Sequence, residues 1–323
     1  MMKQTTVTAI SSFVLLLGAA RAAPNATQAP AIQPANSHPS LSFEVSSGIV
    51  DGEACEYVFW YGDDNRRTKL SELDWDIDRV LMAGGRATAR IHRFFFRLGA
   101  WAAVTEGEDG HLLDYDWTDA NRSSWTDFSD SNADVVNGLI LDANLGWDFL
   151  QQKQDVLTLS GILGWKVDKW KWEGHGGYAL YSEYGYVPYF FDDDQIEIRY
   201  TQEIRIPYVG LAADWTWRSW VLSAHINYSP LVQAEDRDYH VFRQIEWHDT
   251  FEDGDFLGVG VAAQYTFQTG VILSATLDFQ SLDTIIGNLA YTESATGEQS
   301  SFSDSAGLEN RYLAFFLGLG TAF

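Results

Sequence analysis

Asp236-Arg237-Asp238-Tyr239-His240 and, more than a hundred residues earlier, Asp114-Tyr115-Asp116-Trp117 concentrate carboxylates and an imidazole in two short stretches. In an extended segment successive side chains alternate faces, so Asp236, Asp238 and His240 project from one side, as do Asp114 and Asp116. Two such segments facing one another can activate water. One carboxylate orients and charges the His, and a second shares with the imidazole the work of general base. Solvated acidic loops with an incidental His carry the same residue types, so the chemistry depends on the elements that hold the two stretches.

The chain opens with Met1, Lys3, an apolar run through Phe13-Val14-Leu15-Leu16-Leu17 and the small-residue sequence Ala20-Arg21-Ala22. This reads as a secretory signal peptide over 1–22, with a core too short to span a bilayer. Residues 23–40 carry Pro24, Pro30, Pro34 and Pro39 among Ala, Asn and Gln and read as a flexible segment that buries little. The 21 Lys and Arg face 45 Asp and Glu, a net charge of −24. A field of that sign attracts cationic partners and repels nucleic acid and anionic lipid. Cys55 is the one cysteine, which excludes an intramolecular disulfide and a two-cysteine metal site; no metal centre is expected.

After residue 41 the periodicity is two. Leu139, Leu141, Ala143, Leu145, Trp147 and Phe149 alternate with small or polar residues, and Val209, Leu211, Ala213, Trp215 and Trp217 do likewise. Only Arg218-Ser219 separates the latter from Trp220, Leu222, Ala224, Ile226 and Tyr228. A soluble β-sandwich also alternates. The secretion signal, the aromatic residues at the turn-side ends of the apolar faces and a last run that stops on Phe323 point instead to an all-β, ten-stranded antiparallel transmembrane β-barrel. The runs fall at 41–60, 70–91, 94–106, 134–150, 156–173, 195–217, 220–240, 244–267, 271–292 and 308–323. Many are about 20 residues, which at about 3.3 Å each and a tilt near 45° climb about 45 Å against an apolar band of about 25 Å. The barrel is therefore expected to extend well above the outer membrane, with Asp114, Asp116, Asp236, Asp238, His240 and Glu56 in its polar upper half. In the seventh run the lipid-facing positions are even-numbered, as are Asp236, Asp238 and His240, which must face inward. One extra residue is expected at Ser229-Pro230 to shift the register.

With these pieces in this order the chain resembles the omptin family, ten-stranded outer-membrane endoproteases of Gram-negative bacteria, over essentially everything after residue 41. The resemblance rests on Asp114-Tyr115-Asp116-Trp117, Trp125-Thr126-Asp127-Phe128-Ser129 and Asp236-Arg237-Asp238-Tyr239-His240, supported by Leu73-Asp74-Trp75, Pro207-Tyr208-Val209-Gly210-Leu211 and Gly307-Leu308-Glu309-Asn310. It implies a catalytic Asp238 and His240 pair facing Asp114 and Asp116, with Asp114 sharing the attacking water with His240. It further implies that Glu56 and Asp236 floor the pocket for the Arg or Lys before the cut bond and that Asp127 helps receive a basic residue after it. The site would face the exterior of a Gram-negative outer membrane. Two departures stand out: Asp130-Ser131-Asn132 replaces the family's His-Pro pair, and Glu203 and Glu252 fall where the family uses basic residues to grip lipopolysaccharide. Lys169 keeps one of those lipid-binding positions; apart from lipopolysaccharide no cofactor is implied.

The expected function is hydrolysis of the peptide bond between consecutive basic residues, without a covalent intermediate, in cationic peptides and in proteins with dibasic sites. The chemistry of the pocket agrees, since a desolvated guanidinium or ammonium is costly unless paired and two carboxylates penalise every other side chain. A monomer is the family default. The competing reading is a non-enzymatic outer-membrane barrel, an adhesin or an inactive omptin-like binding protein; it is weakened by the complete set Asp114, Asp116, Asp238 and His240. A solute channel is disfavoured because ten strands enclose only enough room for their inward side chains.

Overall fold

In lipid every backbone N–H and C=O must find a partner within the protein, so strands with apolar outer faces are stable there only as a closed ring. The computed structural model describes residues 39–62, 66–105, 107–119, 124–152 and 157–323 and meets that condition. The signal peptide read over 1–22, and all but the last two residues of the segment read over 23–40, lie outside the described residues.

Twelve strands are described: β1 (Ser40–Tyr61), β2 (Arg67–Ile91), β3 (Phe94–Ala103), β4 (Gly107–Asp116), β5 (Asp127–Gln151), β6 (Leu157–Leu180), β7 (Tyr189–Phe190), β8 (Ile196–Trp217), β9 (Trp220–His240), β10 (Ile245–Thr266), β11 (Val271–Glu293) and β12 (Glu298–Ala322). Neighbours pair antiparallel around the ring, and β1 pairs with β12 to close it. β3 and β4 lie end to end between β2 and β5 and make one stave, while β7 is a two-residue ribbon on β6. The wall is thus the expected ten-stranded barrel.

Several boundaries differ from the periodic runs. The third stave resumes as β4 and carries Asp114 and Asp116, β5 begins at Asp127 rather than 134, β6 runs to Leu180 rather than 173, and β12 begins at Glu298 rather than 308. These extensions lie above the membrane, where lipid no longer imposes an apolar outer face and the alternation of hydropathy weakens; Glu298-Gln299-Ser300-Ser301 is an example.

The outer surface changes character with height. On β8 the outward residues are Val209, Leu211, Trp215 and Trp217 near the lower turn, and Arg199, Thr201, Glu203 and Arg205 above. Between the two zones strands gain an extra residue. On β9 Ser229 and Val232 are both buried with Pro230 and Leu231 exposed between them, and the pairing to β10 shifts between Phe256↔Ser229 and Gly254↔Val232. The expected bulge is therefore present, and it turns Asp236 and Asp238 into the lumen. On β10 the pairing shifts again between Phe251 and Gly254, where Asp253 takes φ 62. β2 shifts between Val50/Gly52 of its partner, and Arg79 there takes φ 45.

The lumen is filled. Trp75, Trp170, Trp172 and Tyr200 are fully buried, with Trp75 stacked on Tyr200 at 5.1 Å between centroids and Trp172 at 5.4 Å from it. Below this aromatic layer the Lys166 ammonium donates to Tyr312 Oη at 2.9 Å, and Tyr312 Oη and Gln280 Nε2 donate to Asp168 Oδ2 at 3.0 and 2.7 Å. Lower still, the Phe95 ring lies over Gly146, 2.0 Å from where a Cβ would stand. Gly146→Ala is expected to cost about 1–3 kcal/mol by overpacking, read as a lower temperature at which the folded barrel loses its heat-modifiable gel mobility.

Candidate active site

Above the bulge β9 points Val232, Ala234, Asp236 and Asp238 inward, all at most 5% exposed. Asp238 and His240 are two residues apart on this face, and His240 Nε2 stands 2.8 Å from Asp238 Oδ2. β10 pairs Trp247 with Asp238, which brings the indole to 4.6 Å from the imidazole, centroid to centroid. The ring of His240 is held between a carboxylate and an aromatic face, with one edge left to the cleft.

β4 lies four staves away around the ring from β9 and so forms the facing wall. It aims the half-buried Asp114 and Asp116 inward, and Ser71 Oγ donates to Asp114 Oδ1 at 3.5 Å. The walls are within electrostatic reach. Burial, then the charges of Asp116 and Asp238, hold the Asp114 carboxyl well above the ordinary carboxylate range, while Arg243 of the β9–β10 turn pulls it down. Burial also raises Asp116, with Asp127 adding to the effect and the Ser71 hydroxyl, Arg243 and His240 opposing it. Such a pair, one member inclined to hold a proton and the other facing an imidazole, can bind a water and accept its proton.

One layer deeper lie Glu56 on β1, Asp236 on β9 and Asp249 on β10, exposed by 2%, 1% and 0%. Tyr200 Oη donates to Asp236 Oδ2 at 3.1 Å. Burial raises all three carboxyls: Glu56 also by the charges of Asp238, Asp236 and Asp249, Asp236 by that of Asp249, and Asp249 up to about 7, with the Ala290 amide pulling it down without reaching hydrogen-bond geometry. The aromatic layer of Trp75, Trp172 and Tyr200 seals the floor.

The structure thus brings Asp114, Asp116, Asp238, His240, Glu56 and Asp236 into one cleft. Asp127 is at its rim, paired in register with Asp116, and its Oδ1 already accepts from Ser182 N–H at 2.7 Å and Ser182 Oγ at 3.0 Å. It therefore anchors the loop that begins with the Ser182–Tyr184 turn. Lys169 is elsewhere, on the outer wall, 3.0 Å from Glu203, which also holds Arg205 at 2.5 Å. Sequence reasoning missed Trp247, Ser71, Tyr200, Arg243 and Asp249. For Asp249 a signal exists, since Trp247 and Asp249 alternate as Asp238 and Asp236 do, but it acquires meaning only once the β9–β10 register is known.

The family model of the Omptin family matches residues 37–323. The plasminogen activator of Yersinia pestis is 27% identical over 327 residues, covering 100% of both chains. The outer membrane protease OmpP of Escherichia coli (strain K12) is 24% identical, over 88% of this chain and 90% of that one. In fold, the crystal structure of the outer membrane protease OmpT from Escherichia coli superposes with a TM-score of 0.81 at 21% identity, over 88% of this chain and 97% of that one.

Proposed function

Because the chain belongs to the omptin family, it is an outer-membrane protease on a transmembrane β-barrel, and we propose that it cuts between two consecutive basic residues with a water activated by Asp238 and His240. The observation that carries this reading is the His240–Asp238 pair, at 2.8 Å, set opposite Asp114 and Asp116 above a floor of buried carboxylates. Asp238 orients the imidazole and stabilises the charge it gains on taking a proton; His240 and Asp114 share the water, and Asp116 supports Asp114. No covalent intermediate forms. The pocket before the cut bond is floored by Glu56 and Asp236, which favour Arg or Lys, and Asp127 adds negative potential where the following residue leaves the cleft.

The organisation that goes with this reading is a signal peptide over 1–22, a short segment over 23–40 and one protease barrel over 41–323. Its substrates are cationic peptides and proteins with exposed dibasic sites, drawn in by the acidic field. Lipopolysaccharide is the proposed lipid partner, met by Lys169 on the outer wall.

The test is a quenched fluorescent peptide containing Arg-Arg, given to the refolded barrel with and without lipopolysaccharide. Cleavage between the two arginines is the expected result, and the lipid arm reads any dependence directly. An intact peptide under both conditions, with a folded barrel, overturns the reading in favour of a binding protein.

A further inference from the structure

Glu56 and Asp236 are accompanied by a third carboxylate that the reading above does not use. Asp249 pairs with Asp236 across the β9–β10 ladder, so the two side chains stand next to one another on the inner face. Its own side chain is completely buried, and neither of its oxygens has a hydrogen-bond partner. Glu56 Oε2 and Asp236 Oδ1 are likewise buried without a partner. Buried polar groups are nearly always satisfied, and a concentration of unsatisfied acceptors in one pocket signals a ligand that brings donors. A metal ion is not indicated, since among the described residues no group of His, Cys, Asp and Glu is arranged to hold one.

We propose that Asp249 is a specificity-determining residue which, with Glu56 and Asp236, makes the pocket selective for an arginine side chain over lysine before the cut bond. This rests on the protease reading given above and deepens it. The four unpartnered oxygens, Glu56 Oε2, Asp236 Oδ1 and both of Asp249, outnumber the three donors of an ammonium, which leaves at least one acceptor desolvated and unpaired. A guanidinium has five donors in a planar fork, and the free two-oxygen edge of Asp249 suits two parallel N–H···O bonds. The fixed charge of the guanidinium matters as well. Entering among carboxyls whose affinity for protons is raised by burial and mutual repulsion, it displaces protons without surrendering its own. The titratable groups facing Asp249 are Asp236 and Asp238 of β9 and Glu56 of β1, with the Ala290 amide of β11 beside it, so among the described residues its charged neighbours are all acidic.

The experiment compares the wild-type barrel with Asp249→Asn and Asp249→Ser by calorimetric binding of benzoyl-argininamide and benzoyl-lysinamide, and by kcat and KM on peptides with Arg or Lys before the cut bond. The wild type is expected to favour the arginine ligand by about tenfold or more, and both variants to lose most of that ratio through weaker arginine binding, with KM moving more than kcat. A merely structural Asp249 would lower affinity for both ligands equally or for neither, and an unchanged Arg/Lys ratio overturns the proposal. The binding arm does not depend on hydrolysis. A wild type that prefers the arginine ligand but cuts no peptide therefore upholds the pocket and overturns the protease mechanism, whereas cleavage without arginine preference does the reverse.

Discussion

His240→Ala is expected to lower kcat on an Arg-Arg peptide by about 10²–10⁴-fold, with KM little changed and the barrel still folded. The imidazole is 17% exposed at the mouth of the cleft rather than within the aromatic layer, so its removal opens no closed cavity. Its loss separates Asp238, which is buried and holds His240 at 2.8 Å, from the water it would act on. In the proposed reading, binding of the two basic side chains is left to Glu56, Asp236 and Asp127. An interaction made in the transition state and absent from substrate binding lowers kcat and kcat/KM together. That pattern is what steady-state kinetics of the variant should show. Hydrolysis at more than about a tenth of the wild-type kcat would remove His240 from the chemistry and leave the carboxylates of β4 as the place to look for the base.

The parts of the structure that sequence made legible are those where physics imposes alternation. Lipid outside and a packed lumen inside force period two on residues such as 209–217 and 220–228, and the ten staves follow. The clash of parity between Trp220 and His240 even located the bulge near Ser229-Pro230, because a functional face and a lipid face cannot both be even on a regular strand. Above the membrane that constraint lapses. The start of β12 at Glu298 and the stretch of β4 carrying Asp114 and Asp116 lack a lipid-facing apolar stripe, and their extent is set by hydrogen bonding to neighbours that the chain order alone does not reveal. Paired carboxylates within one stretch, Asp114 with Asp116 and Asp236 with Asp238, were visible for the same reason: i and i+2 share a face whatever the neighbours do. Asp249 was not, since its meaning lies in a cross-strand partner, and the irregularities at Phe251–Gly254 and Gly254–Phe256 separate its register from that of the lipid-facing half.

Asp236→Asn should produce the second large effect, a loss of about 10²–10³-fold in kcat/KM for peptides with a basic residue before the cut bond. Asp236 is 1% exposed, and the substrate's cation must be stripped of water to reach it; removing one member of a buried pair costs far more than the same change at a surface. The same substitution should act in the opposite direction on the barrel itself. Burial and the neighbouring Asp249 charge raise the folded-state value of Asp236 well above that of an unfolded carboxyl. A group shifted in that direction gives its full stability below the unfolded value, about 3.9, and loses it as pH rises toward the folded value. At neutral pH the wild type therefore carries a penalty that the amide escapes, and Asp236→Asn should unfold at a higher temperature near pH 7, an advantage that fades as pH falls toward about 4. A variant less active yet more stable, with the stability gain confined to higher pH, is the signature of a carboxylate kept in the lumen for its ligand; equal cleavage of Arg-Arg by both proteins would show that the cation is held elsewhere.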